Sequence, residues 1–256
     1  MVGAPKRLGH YRLGFPMRAV GPITIYEAYH EAVWVRRRVA VLPSSFGEPD
    51  PVAVYLESPY VVKVYEVGVD RNWAYVVSEW APWPPLDSVI SDRRLTPSEA
   101  AALLHDILRA LMDLERTGLK HRYLVPSFIL VSPAGFLLDG VGLAHLLDGP
   151  EGPRALASIT ARALGEVPRW LAEPLQLAGK GRAGEALRTL RTVLRRGALE
   201  RLARLIVTIA DLKGRRAESI RREALSLLSR GTVTLTEVER LERKLHGLLR
   251  ECRSEL

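Results

Sequence analysis

In the first eighty residues, apolar β-branched and aromatic side chains come in short runs broken by turn residues. After that, apolar positions recur at spacings of three and four. The runs at 11–13, 23–29 and 33–42, followed by 61–67 and 73–79 around a turn at 68–72, predict an antiparallel β-rich unit ending near residue 80. Residues 43–58 are rich in proline, serine and glycine and read as a loop, with room for one short element near 52–56. The run Trp80-Ala81-Pro82-Trp83-Pro84-Pro85 is a stiff connector, because each proline fixes φ and removes a backbone donor.

Helices dominate beyond the connector. Thr96-Pro97-Ser98-Glu99 carries the residues of a capping box with proline at the first helical position, and it opens a helix over 96–117 that Gly118 ends. That helix turns Ala100, Leu103, Leu104, Ile107, Leu108, Leu111 and Leu114 to one face. A β-like stretch at 128–131 and 136–138, turning at 132–135, precedes further helices at 154–164, 168–178, 183–195, 198–212, 215–229 and 235–252. Thr234-Leu235-Thr236-Glu237 caps the last of these. Its narrow apolar seam of Val238, Leu241, Leu245 and Leu248 is a candidate partner contact, either docked on residues 198–229 of the same chain or joining two copies.

Composition narrows the classes. A chain of 256 residues with 47% hydrophobic content buries a proper core. Its single cysteine, Cys252, excludes an internal disulfide framework and suits a reducing cytosol. No signal peptide and no run of 18 apolar residues is visible, so a cytoplasmic chain without a membrane span is expected. Asn72 and Gln176 are the only side-chain amides, a depletion typical of thermophiles. The net charge of +8 concentrates in arginine pairs after about residue 180, but acids interleave and no aromatics accompany them. A nucleic-acid surface is therefore possible but not favoured over a solvated helix face.

The most informative chemistry lies at residues 121–131, His-Arg-Tyr-Leu-Val-Pro-Ser-Phe-Ile-Leu-Val. This run resembles the catalytic loop of serine/threonine protein kinases, His-Arg-Asp-Leu-x-x-x-Asn before an apolar strand. Other landmarks follow in the family's order. Residues 11–28 are similar to the first two strands, Val39-Ala40-Val41-Leu42 to the Val-Ala-Ile-Lys strand, and residues 59–68 and 75–80 to the fourth and fifth strands. Gly140-Val141-Gly142-Leu143-Ala144 stands where Asp-Phe-Gly-Leu-Ala is expected. The match covers roughly residues 11–145.

The resemblance implies functional positions that this chain fills with other residues. Arg18, Val20 and Ile23 replace the glycines that let backbone close over phosphates. Leu42 replaces the phosphate-pairing lysine, and residues 43–58 are few enough to omit the helix whose glutamate would hold it. Tyr123 replaces the catalytic base, and a phenol is a poor proton acceptor at neutral pH. Phe128 and Gly140 replace the two magnesium ligands. Asp139, one residue before the second metal position, reads as a strand-end turn residue, and Arg18 as an exposed arginine on a turn. His121 reads as core, Arg122 as an orphan of the family's phosphate contact, and residues 142–150 as too short for a normal activation segment.

These readings predict an α+β, protein-kinase-like bilobal fold. A β-rich N-lobe would span 1–80, a trimmed helical C-lobe 81–196 and an α-helical extension 197–256. The function expected is that of a pseudokinase: a non-enzyme without cofactor or metal that binds an unknown protein partner, as a monomer or a homodimer through its C-terminal helices. Two alternatives stay open. One is a residual nucleotide- or phosphate-metabolising enzyme drawing on Asp139, Asp148 or Asp87. The other is a nucleic-acid-associated protein using the arginine-rich helices of residues 182–230.

Overall fold

The computed structural model describes residues 5–210, 215–229 and 234–254, apart from some side chains of the last three helices. They form two compact units, one ending at Leu187 and one beginning at Arg188.

The first unit opens with a six-stranded antiparallel sheet. Its strands are β1 (Arg7–Leu8), β2 (Tyr11–Val20), β3 (Ile23–His30), β4 (Arg36–Pro43), β5 (Val64–Asp70) and β6 (Trp73–Ser78). They lie in the order β1-β2-β3-β4-β6-β5. Side chains alternate across a strand, so β4 serves two faces. Val39 and Val41 enter an aromatic cluster with Tyr11, Tyr26 and Tyr75, while Ala40 and Leu42 are buried on the opposite face. Arg38 shares that second face by the same alternation.

Several boundaries differ from the sequence pattern for identifiable reasons. The apolar run beginning at Val61 joins the sheet only from Val64. Val61 instead bridges Leu138, and Val62 donates its N–H to the Leu138 carbonyl. The short β1 was not expected, nor was α1 (Leu86–Asp92), which follows the last proline of the connector and buries Leu86. Between β4 and β5 the described chain makes only two short 3-10 turns, at Ser44–Phe46 and Pro51–Tyr55. The α-helix the family carries there is absent, as the shortness of residues 43–58 implied.

The helical part of the first unit begins with α2 (Pro97–Arg116). Its capping box forms as expected: Thr96 Oγ1 accepts from the Glu99 amide, and Glu99 accepts from the Thr96 amide. The hairpin of β7 (Ile129–Ser132) and β8 (Gly135–Leu138) packs against α2, as does α3 (Gly152–Leu164), and α3 packs in turn on α4 (Arg169–Gly179). The carboxylate of Asp106 on α2 accepts from the Phe136 amide and fixes the hairpin in place.

In the second unit, the two helices expected on either side of Gly197 are one, α5 (Ala183–Ala210). A lone glycine costs a helix about 1 kcal/mol and does not end it without cap residues. The two compact units divide after Leu187. Leu202 and Leu205 of α5, Ile220 and Leu227 of α6 (Arg215–Ser229), and Val238, Leu241 and Leu245 of α7 (Leu235–Ser254) form one buried cluster. Of the two alternatives for this seam, Val238, Leu241 and Leu245 take the docking within their own chain, against α5 and α6. The side chain of Leu248 lies outside the described residues.

Candidate functional site

The positions singled out by the sequence converge where β2, β4 and the turn after β8 meet the loop of residues 121–128. The β2–β3 connection is a two-residue turn, because Val20 pairs directly with Ile23. Gly21 takes φ +57 there, a conformation that suits glycine. A hairpin closed so tightly has no open backbone cradle at its tip.

Tyr123 sits beneath that tip. A Cβ on Gly21 would lie 3.6 Å from the Tyr123 hydroxyl oxygen, and Gly149 lies flush against the other side of the ring. The shortened segment is fastened there by the Leu124 amide, which donates to the Pro150 carbonyl at 2.6 Å. The base position is thus a packing contact between the hairpin tip and residues 149–150.

The two metal positions touch each other. Phe128 is fully buried, edge-on to His121 at 5.6 Å and to Tyr123 at 6.3 Å between ring centroids. A Cβ on Gly140 would come within 2.7 Å of Phe128 Cε1 and 2.8 Å of Cδ1. Gly140 also has φ +78. The ring therefore fills the space that an acidic side chain at 140 would need. Leu42 and Val141 are buried as well.

Beside this contact, one residue before Gly140, lies a charged cluster that no motif in the sequence announces. Arg18 of β2 and Arg38 of β4 both donate to Asp139 Oδ2, with side chains 16%, 2% and 7% exposed respectively. Two expectations are corrected here. Asp139 is no ordinary turn residue and Arg18 is not an exposed arginine: the part-buried Arg18 is paired with the buried carboxylate of Asp139. Burial alone would raise the Asp139 carboxyl, but the guanidinium groups of Arg38 and then Arg18 outweigh it and hold the group below its ordinary value. Burial pulls Arg18 down, yet an arginine starts so high that it stays charged. Arg38 was not singled out, although a signal existed: the third arginine of Arg36-Arg37-Arg38 falls on the same strand face as Ala40 and Leu42.

His121 is core, as expected. Its Nε2–H donates to the Asp139 carbonyl oxygen at 2.9 Å, and burial pushes its pKa down to about 4, so the ring is neutral. Arg122 is exposed. The three aspartates do not meet: Asp87 accepts from the Ser127 hydroxyl, Asp148 is exposed, and Asp139 is held by the arginines. Among the described residues, no group of three or more His, Cys, Asp or Glu side chains is placed to hold a metal ion. No described helix is long and apolar enough to cross a membrane.

Comparison with known proteins agrees with this architecture. The chain is 29% identical over 158 residues to the serine/threonine-protein kinase PknA of Mycobacterium tuberculosis, covering 55% of this chain and 36% of that one. It is also 29% identical over 124 residues to the serine/threonine-protein kinase PkaB of Streptomyces coelicolor, covering 44% and 30%. It therefore spans about a third of the length of these relatives. The PknI kinase domain of Mycobacterium tuberculosis superposes with a TM-score of 0.61 at 16% identity, over 75% of this chain and 98% of that domain. No family model matches the chain. These findings establish the kinase-like α+β fold. They also overturn the expectation of a non-enzyme, since the relatives are named kinases and the structural neighbours are kinase domains.

Proposed function

We propose that this chain, with its kinase-like fold, binds a protein partner as a regulator or scaffold. The observation that carries this reading is the contact between Phe128 and Gly140. Phosphoryl transfer rests on positioning and on metal ions that neutralise the phosphates. Here the two positions that serve the metals in the family hold a buried aromatic ring and the glycine that admits it. A cleft centre built this way contributes rigidity, and a rigid body suits the presentation of a binding surface.

A second reading, kinase activity like that named for the relatives, is favoured by one observation. Asp139 is a buried cleft carboxylate one residue from the metal position, with two cations beside it. Incubation of the chain with γ-labelled ATP and magnesium or manganese separates the two. Label that stays on ATP, as in a heat-denatured control, leaves partner binding as the role. Label transferred to protein overturns it and makes the second reading the function.

A further inference from the structure

Arg18 and Arg38 each place a terminal nitrogen on the same oxygen, Oδ2 of Asp139. Two guanidinium charges thus meet one carboxylate. The next acid, Asp87, is held by Ser127 and acts on Arg18 through space only. Nε of Arg18, and Nε and Nη1 of Arg38, are buried with no hydrogen-bond acceptor. A guanidinium carries five donors in a planar fork that matches oxyanions, and buried donors left unpaired are destabilising. The pair is therefore under-filled by Asp139 in both charge and acceptors.

We propose that Arg18 and Arg38 form an oxyanion site that Asp139 occupies from within the chain, and that a free oxyanion of the phosphate class takes its place. A phosphate brings up to two negative charges and several acceptor oxygens to two forks, where the carboxylate brings one charge and offers one oxygen. Arg18 is the entrance, being the part-exposed member beside the hairpin turn at Gly21. Because Arg18 and Arg38 belong to the sheet and Asp139 to the turn after β8, exchange of the acceptor loosens the tie between them. The site stands on the arginine geometry alone and does not depend on the partner-binding role.

Thermal unfolding of the full chain with inorganic phosphate tests this, alongside chloride and acetate at matched ionic strength. The expected result is a saturable rise in Tm with phosphate, following the ratio of phosphate to its dissociation constant. That rise should be absent with chloride, at least tenfold weaker in affinity with acetate, and lost in Arg18→Gln. The Arg18→Gln chain keeps the Arg38–Asp139 pair and so remains folded. A phosphate response equal to that of chloride, or one retained in Arg18→Gln, overturns the site. An acetate response as strong as that of phosphate overturns the assignment to the phosphate class.

Discussion

A Gly140→Asp chain, which restores the acidic residue at the second metal position, is expected to be less stable than the wild type by about 2–5 kcal/mol. Two costs combine. The new Cβ would sit 2.7 Å from the buried ring of Phe128, and overpacking of a filled core costs about 1–3 kcal/mol. The backbone at φ +78 adds a left-handed penalty of about 1–2 kcal/mol for any residue with a Cβ. Phe128→Asn alone is also destabilising, by about 3–5 kcal/mol, because it empties a closed pocket. The double variant removes the obstructing ring, so its loss should fall short of the sum by about 1–3 kcal/mol. Urea unfolding of the four proteins measures that coupling. Additive losses would mean that the two positions do not share one packed space.

Asp139→Asn is the second large effect, with an expected loss of about 3–5 kcal/mol, because it leaves the buried Arg38 guanidinium, and the part-buried Arg18 beside it, without the carboxylate that pairs them. The pH dependence fixes the cause. The folded-state pKa of Asp139 is depressed, so its stabilising contribution is full above the unfolded value of about 3.9 and is lost as pH falls through the folded value. The stability gap between wild type and Asp139→Asn should therefore be constant from neutral pH down to about 5 and narrow below about 4. A gap that stays open in acid would assign the loss to shape and not to charge.

Much of this fold was legible because local signals agreed with tertiary packing. The Thr96–Glu99 box, the periodic face of α2 and the turn between β7 and β8 each place a known chemistry at a fixed offset. Element ends were less legible where another surface competes for backbone bonds, as when Val61 and Val62 turn away to Leu138. The helix boundary at Gly197 misled because glycine weakens a helix without stopping it.

The candidate site divided in the same way. The altered positions Leu42, Tyr123, Phe128 and Gly140 can be read from motif order. That Phe128 occupies the space beside Gly140 cannot, because the two are joined by a contact and not by spacing. Arg18, Arg38 and Asp139 stand far apart in the chain: the sheet carries the two arginines, and only tertiary packing brings the turn after β8 to them. Periodicity places Arg38 on the inner face but does not name its partner.

The Phe128 ring against Gly140 is proposed to leave no room for magnesium at the positions that hold it in kinases. Titration of the full chain with ATP in the presence of magnesium, followed by thermal unfolding, tests it most directly. Magnesium is expected to add nothing, at any ATP concentration, to whatever rise in Tm ATP alone produces through its phosphate oxyanions. A saturable rise that requires both ATP and magnesium would contradict it.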